Sequence, residues 1–412
     1  MYSSKKLNNN NIEYSELSIK LTKQINKNKK KQYGIYFTPP ETIINNIKLL
    51  EQYKKNIKNI LEPSCGTCEY ILQLTNTLSN INITGIELNK TIFKSIKQYK
   101  SNNIELINDN YLTYKFNTKY DLIIGNPPYF VIKKNIVDKF YDNYYDGRPN
   151  IFILFIIKSL NLLNDNGILS FVLPRNFLNC IYYDKTRKYI ATNFKILNII
   201  ECIDKYIETQ QDTIIVIIQN EKPVNNNIYT INISEYIIFG TQDNIKILNE
   251  LYYNSKTLYE LDFIVNVGNI VWNKCKKYLT DDKNKTQLIY SSDIINNKVI
   301  TKKYSNEEKK NYINKEGNDI PLLVINRGYG VGNYNFNYCI INENNNIKYL
   351  IENHLICIKY SKSLPNDLLI EKYKKIILSF EDKKTKEFIK IYFGNNAINT
   401  TELCKILPIY DI

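Results

Sequence analysis

Histidine is almost missing from this chain. His354 is the only one in 412 residues, which excludes histidine-based hydrolysis, because a lone histidine is more often structural. Clustered metal ligands are missing too. Cys65-x-x-Cys68 is the only close pair among eight scattered cysteines. A zinc site would need a second pair or histidines, so no metal is expected. No G-x-G-x-x-G is present, which argues against a nicotinamide dinucleotide. The apolar run Ile151–Ile157 is far short of the roughly 20 residues of a membrane span, and no signal peptide is evident. The thiols therefore read as reduced, and the chain as a soluble intracellular protein with no membrane partner. Acidic residues are outnumbered, 41 to 55, for a net charge of +14 and a pI near 9.1. That balance points to a polyanionic partner such as nucleic acid. The chain is also crowded with Asn, Lys, Ile and Tyr, which an AT-rich genome favours, so part of the lysine excess is codon bias.

The most informative stretch is Asp121-Leu-Ile-Ile-Gly125-Asn126-Pro127-Pro128-Tyr129-Phe130. Its apolar run reads as a buried parallel strand. The strand stops at Gly125 and gives way to a loop that two prolines stiffen, each fixing φ near about −65°. A doubly wound sheet places its chemistry just past the carboxyl end of such a strand. Asn126 offers a side-chain carbonyl and Pro127 a backbone carbonyl, two fixed acceptors that suit a planar amino group. Tyr129 offers a flat face for a planar ring.

Taken in order, residues 1–32 form a basic, polar arm with Asn8–Asn11 and Lys29–Lys31, expected to be a mobile arm or a weak surface helix whose charge is solvated, with contact to phosphate as the lesser alternative. Thr38 reads as an N-cap, with Pro39 at the first helical position and Glu41 completing a capping box; Ile43, Ile44, Ile47 and Leu50 continue that helix. A strand at Asn59–Leu61 runs into Glu62-Pro63-Ser64-Cys65-Gly66-Thr67-Cys68 and a helix bearing Tyr70, Ile71, Leu74 and Leu78. Strand, small-residue loop and helix start present backbone N–H groups to a ligand. Glu62 at the strand end suits a cationic ligand better than a pyrophosphate. A second strand ends at Glu87, positioned for a ribose diol. A third, Ile104–Ile107, ends at Asn108-Asp109-Asn110-Tyr111. After the Asn126 loop, Tyr141–Gly147 reads as a mobile loop, Ile151–Leu163 as a helix, and Ile168–Leu173, Ile196–Cys202 and Thr213–Gln219 as strands. This alternating α/β domain is expected to end near Pro223. The remaining residues lack that rhythm and form a second domain, as the length predicts.

The ordered set Phe37-Thr38-Pro39-Pro40, Glu62-Pro63-Ser64-Cys65-Gly66, Glu87, Asp109–Tyr111, Asn126-Pro127-Pro128-Tyr129 and Gly167–Pro174 resembles the gamma-class (Taq-type) DNA adenine-N6 methyltransferases. The resemblance covers residues 33–222 and, in outline, the rest. It implies an α/β fold: a Rossmann-like catalytic domain over 33–222, with a mixed, mostly parallel sheet, and a smaller mixed α/β target-recognition domain over 223–412. It implies S-adenosyl-L-methionine as cofactor. Thr38 and Pro39 would hold its methionine end, Glu62, Ser64 and Gly66 its main loop, and Glu87 its ribose. Its adenine would be read by Asn110 with Tyr111 on spacing, or by Asp109 on chemistry. Asn126 and Pro127 would accept from the target amino group. Tyr129 would stack on the flipped base, with Tyr206 as a second aromatic wall. Cys68 stands where that class usually has a second glycine, so its side chain would crowd the cofactor. Gly268, Trp272, Lys274, Arg327 and the closing Leu407-Pro408-Ile-Tyr-Asp look like weaker recognition-domain signatures. The implied partner is double-stranded DNA, with a cognate restriction endonuclease as a separate protein and a monomeric enzyme.

Cytosine-C5 chemistry needs a nucleophilic cysteine, typically after proline, and the chain has no Pro-Cys dipeptide. Two rivals remain: an RNA or protein-glutamine N-methyltransferase, since the same loop serves amide nitrogens, and a catalytically silent, sequence-specific DNA-binding relative.

Overall fold

A computed structural model describes residues 13–326, 336–343, 347–393 and 398–411. The chain divides into two compact units, residues 1–245 and 246–412.

The first unit opens with two short helices, α1 (Glu16–Gln24) and α2 (Lys27–Tyr33). Of the two forms expected for this segment, an arm or a surface helix, the described part is helical, and its apolar side is docked. Ser15 and Asn26 cap the two helices, and Gly34 closes α2 in the left-handed region at φ 63°. Leu21 and Ile25 pack on Ile92, with Leu17, Ile35 and Phe37 around them. The lysines of this segment conceal an apolar stripe that the core needs.

α3 (Pro40–Leu49) follows. The capping box expected at Thr38 is not formed: Pro39 is the N-cap and no side chain caps the helix. The Thr38 hydroxyl accepts a hydrogen bond from elsewhere, described below. The unit continues with β1 (Asn59–Glu62), α4 (Glu69–Thr77), β2 (Asn82–Ile86), α5 (Lys90–Ile96), β3 (Ile104–Ile107), β4 (Tyr120–Gly125), α6 (Ile151–Asn161), β5 (Leu163–Pro174), α7 (Asp184–Asn193), β6 (Lys195–Glu201), β7 (Thr213–Gln219), β8 (Thr230–Ile233) and β9 (Tyr236–Phe239). Seven strands form one sheet in the order β3-β2-β1-β4-β5-β7-β6. β1 to β5 pair in parallel, and β7 runs antiparallel between β5 and β6.

Both faces of this sheet are buried, so its strands read as nearly continuous apolar runs. Ile60, Leu122, Ile124 and Val172 face Ile43, Ile47, Ile71 and Leu74 of α3 and α4. Leu61, Ile123, Leu169 and Phe171 face the other way, onto Phe152 to Leu160 of α6 and Ile190 of α7. The Tyr141–Gly147 stretch, expected to be mobile, buries Tyr141 and Tyr145 in that second cluster. Its tyrosines are core residues, and Lys139–Tyr144 is a 3-10 helix.

The β8–β9 hairpin lies beyond the boundary expected near Pro223 but within the first unit. The fully buried Arg187 of α7 holds it, donating Nε–H to the carbonyl of Ile237 at 2.6 Å, while Asp184 accepts from the Ile237 N–H at 2.8 Å.

The second unit contains an antiparallel sheet of Phe263–Val267, Leu355–Tyr360, Leu322–Asn326 and Tyr338–Ile341. A second sheet joins Leu279–Thr280, Tyr312–Ile313, Thr286–Ile289 and Tyr349–Ile351. Helices Asn366–Glu381, Lys383–Tyr392 and Thr400–Lys405 follow. Among the described residues no helix is long and apolar enough to cross a membrane.

Candidate active site

In the strand order above, β1 and β4 are neighbours at the point where the chain reverses direction across the sheet. The loops leaving their carboxyl ends therefore meet, at the place where open α/β sheets bind ligands. One loop is Pro63–Cys68 and the other Asn126–Phe130. They are tied directly: the Ser64 hydroxyl donates to the backbone carbonyl of Asn126 at 3.2 Å.

Beside them opens a cavity of about 430 Å³, within the range of ligand clefts, lined by Ser64, Gly66, Glu87, Asp109, Asn110, Tyr111 and Asn126 among others. A much smaller cavity, about 40 Å³, lies against Thr38, Glu62, Ser64, Gly66 and Asn126. The two share walls at Tyr36, Phe37, Ser64, Gly66 and Asn126. Seven of the residues read from the sequence as cofactor-binding thus reach one or other cavity at the same place. Tyr111 lines the larger as well. Pro39 lines neither cavity; it caps α3.

The polar groups here are held in specific states. Glu87 is buried, and its carboxylate accepts from the N–H of Gly66 at 3.0 Å and of Asn89 at 2.6 Å. Burial still pushes its pKa up to about 7. Glu62 is buried more deeply, and its Oε2 has no hydrogen-bond partner in the protein. Burial, with Glu69 and Glu87 nearby, holds its pKa well above the usual carboxylate range. A buried acceptor without a donor costs about 1–3 kcal/mol, which a cationic ligand in the small cavity would relieve. Asp109 is exposed, with Oδ1 accepting from the Asn110 N–H at 2.6 Å; Asn110 Oδ1 accepts from Leu112 N–H at 3.0 Å. The Tyr111 ring is buried, its hydroxyl paired with Ser159 at 2.8 Å. This donor set fits S-adenosyl-L-methionine: an unpaired carboxylate for an ammonium, a second carboxylate for a ribose diol, and an aromatic-walled cleft for a purine.

Cys68 does not crowd the cleft. Its backbone takes the left-handed conformation at φ 65°, a conformation glycine adopts without strain, and its fully buried side chain packs into the apolar cluster with Cys65 and Ile71. Gly66, also left-handed at φ 50°, lies under the Phe37 ring.

On the other side of Ser64 stands the Asn126 carboxamide. Its Nδ2 donates to Thr38 Oγ1 at 3.0 Å and to the Tyr206 hydroxyl at 3.3 Å. Its Oδ1 accepts from the Tyr129 hydroxyl at 2.5 Å, and that phenol also donates to the carbonyl of Val172 at 2.7 Å. Burial raises the pKa of both tyrosines, so both stay protonated. Tyr206, predicted only as an aromatic wall, thus touches the loop directly.

Sequence reasoning missed the contribution of the N-terminal helices. Lys29 and Tyr33 line the larger cavity. Ser15 and Ser18 donate to Glu69, and Ser18 pairs with Thr67 at 2.7 Å. Lys30, buried, forms an ion pair with Glu208 at 2.7 Å, in the loop that carries Tyr206. The signals were Leu17, Leu21 and Ile25 at spacing four, and Gly34 after a polar run. Lys158 was missed as well. It donates to the carbonyls of Tyr111, Leu112 and Tyr114 at 2.6 to 3.0 Å and so fixes the turn after β3.

In the second unit, Trp272 is half-buried against the cluster around Ile270 and Tyr290, while Lys274 is exposed. A Cβ on Gly268 would stand 2.3 Å from the Glu352 carbonyl, so close backbone packing accounts for that glycine. Leu407, Ile409 and Tyr410 are buried. Arg327 lies outside the described residues.

Comparison with known proteins agrees with this fold. Residues 6–207 match the family model described as Eco57I restriction-modification methylase. The chain is 27% identical over 405 residues to the Type II methyltransferase M.CvrRI of Paramecium bursaria Chlorella virus XZ-6E, covering 96% of this chain and 99% of that one. It is 26% identical over 413 residues to the modification methylase CviBIII of Paramecium bursaria Chlorella virus NC1A, covering 97% and 100%. Among solved structures, the DrdV–DNA complex shares the fold with a TM-score of 0.51 at 12% identity, over 96% of this chain and 57% of that one. Over residues 6–207 this chain is similar to the Eco57I restriction-modification methylases, and it is a methyltransferase that uses S-adenosyl-L-methionine.

Proposed function

We propose that this chain methylates the N6 amino group of an adenine turned out of double-stranded DNA. The observation that carries the reading is the Asn126 carboxamide, whose nitrogen donates to Thr38 and Tyr206 while its Oδ1 accepts only from the Tyr129 phenol, a proton that phenol also shares with the Val172 carbonyl. The names of the full-length relatives, a type II methyltransferase and a modification methylase, support DNA as the substrate.

The exocyclic nitrogen of adenine is a poor nucleophile, because its lone pair is delocalised into the ring. Asn126 Oδ1 and the Pro127 carbonyl would each take one of its hydrogens and favour a pyramidal nitrogen whose lone pair is free. This is positioning and electrostatics. When bound, S-adenosyl-L-methionine supplies an electrophilic methyl group on a sulfonium. Glu62 would face its ammonium, Glu87 its ribose, and Asp109, Asn110 and Tyr111 its adenine, with Ser64 and Gly66 forming the floor. Turning out the base costs roughly a few kcal/mol. Stacking on Tyr129 and Tyr206 would return about 1–3 kcal/mol for each ring that engages, by analogy with single-strand binders. Residues 246–412, with Trp272, Lys274 and Arg327, would choose the sequence.

The test is transfer of labelled methyl groups to duplex DNA, followed by digestion to nucleosides and mass spectrometry. N6-methyladenine at a defined site is the expected product. Label found only on cytosine, on RNA or on protein glutamine would overturn the reading.

A further inference from the structure

Glu16–Tyr33 holds six lysines against a single glutamate. Lys30 is turned inward, onto Glu208. Lys20, Lys23, Lys27 and Lys31 are exposed, and none of them forms an ion pair among the described residues. Lys20 and Lys23, at i and i+3 on α1, share one helix face, as do Lys27 and Lys31, at i and i+4 on α2. Bunched lysines repel one another, and among the described residues no ion pair neutralises these four.

The position of this patch is as informative as its charge. Gly34, which ends α2, sits so close to the catalytic loop that a Cβ there would lie 2.9 Å from Pro128 Cβ and 3.0 Å from Tyr129 N. Lys31 is less than one helical turn, roughly 5 Å along the axis, from that point of approach. The Lys30–Glu208 pair fastens the same helix to the loop that carries Tyr206. The lysines therefore belong to a body fixed to both aromatic walls of the site.

We propose that Lys20, Lys23, Lys27 and Lys31 form a contact surface for the phosphate backbone of DNA next to the target nucleotide. The proposal rests on the DNA reading given above. Backbone contacts of this kind set register and affinity without reading sequence, so the catalytic unit holds the duplex by its own charge.

The test uses the full chain with all four lysines changed to glutamine (K20Q/K23Q/K27Q/K31Q), which keeps good helix formers in place. The control variant, K55Q/K58Q/K100Q/K119Q, removes the same charge from exposed positions, three of them just before β1, β3 and β4, at the opposite end of the strands. Affinity for a mixed-sequence duplex is measured against salt concentration, and cofactor affinity alongside. Every phosphate that the protein no longer neutralises lowers the salt slope by about 0.9. The patch variant is expected to lose at least about 2 in slope and on the order of tenfold in affinity, with cofactor affinity unchanged and the control close to wild type. An unchanged slope in the patch variant would overturn the proposal, as would an equal fall in the control. Wild-type protein that fails to bind or methylate duplex DNA would sink the functional reading itself, an outcome distinct from either.

Discussion

Replacing Gly34 by alanine is expected to damage the active site from a position on the wall of the larger cavity that carries no side chain of its own. Gly34 holds φ at +63°, where an L-residue costs about 1–2 kcal/mol. The added methyl would also meet Pro128 Cβ at 2.9 Å, Tyr129 N at 3.0 Å and Phe130 Cδ1 at 3.1 Å. Backbone and proline carbons do not swing aside as a flexible side chain does. Overpacking of this kind costs about 1–3 kcal/mol, for a sum near 2–5 kcal/mol.

The protein can pay that sum in two ways, and they read out differently. If α2 stays docked, the melting temperature falls, by roughly 2–4 °C per kcal/mol for a unit of this size. If α2 backs away, stability is kept but Pro127 and Tyr129 shift, and a displacement near 1 Å costs about a hundredfold in rate. Thermal unfolding and single-turnover methylation on the same samples separate the two. Gly34→Asn sharpens the test, because asparagine tolerates left-handed backbone yet brings the same Cβ; it should lose most of what alanine loses. Gly34→Ala with wild-type melting temperature and turnover would refute the reasoning that the helix pair braces the catalytic loop.

Asn126→Ala should abolish methyl transfer while cofactor affinity, read by calorimetry, stays within a few-fold; near-normal turnover would remove Asn126 from the chemistry. Cofactor affinity should fall as pH drops below about 7. Glu87 titrates there in the free protein, and ribose hydroxyls donate to its ionised form, so acid must first be removed; the dissociation constant should rise about tenfold per pH unit, and a flat profile from pH 8 to 5.5 would reject Glu87 as the ribose ligand. Arg187→Ala should cost about 3–5 kcal/mol in urea unfolding, since it strips a buried partner from Asp184 and the donors from the Phe177, Cys180 and Ile237 carbonyls; a loss under about 1 kcal/mol would mean the hairpin is held by packing alone.

The parallel part of the sheet was legible because both of its faces are buried. Each strand is then a short apolar run, and each ends at a residue whose type is unusual there: Glu62, Glu87, Asn108, Asn126. What failed to read were segments in which local chemistry and tertiary use disagree. Thr38 carries every sign of a helix cap, yet its hydroxyl is taken by Asn126 across 88 positions of sequence. Lysine-rich α1 and α2 look solvated because a thin apolar stripe suffices when serines and one buried lysine supply the rest of the anchorage. Tyr141 and Tyr145 look like loop residues because tyrosine is common throughout this chain. Cys68 looks like an obstruction until its backbone is seen to take the glycine conformation while its thiol points into the core. Apart from Cys68, whose neighbours Cys65 and Ile71 are three residues away, the deciding partner is distant in sequence, and no local pattern reports it.

A carboxamide that waits for a substrate must be satisfied while it waits, because an unpaired buried acceptor costs about 1–3 kcal/mol. Tyr129 meets that need for Asn126 Oδ1. A phenol has one proton, and here it is shared between Asn126 Oδ1 at 2.5 Å and the Val172 carbonyl at 2.7 Å. On the proposed reading, an arriving amino group can take Oδ1 while the phenol keeps its proton on Val172, so the exchange orphans no group and costs little. The same arithmetic excludes the wrong base. A ring that presents a carbonyl oxygen at this point would face Asn126 Oδ1 and the Pro127 carbonyl oxygen to oxygen, with no hydrogen between them. The carboxamide keeps its oxygen toward the substrate side as long as the Thr38 and Tyr206 hydroxyls accept from its nitrogen. Selection for an amine-bearing base would thus follow from how the resting site is satisfied, before any contact with the rest of the DNA.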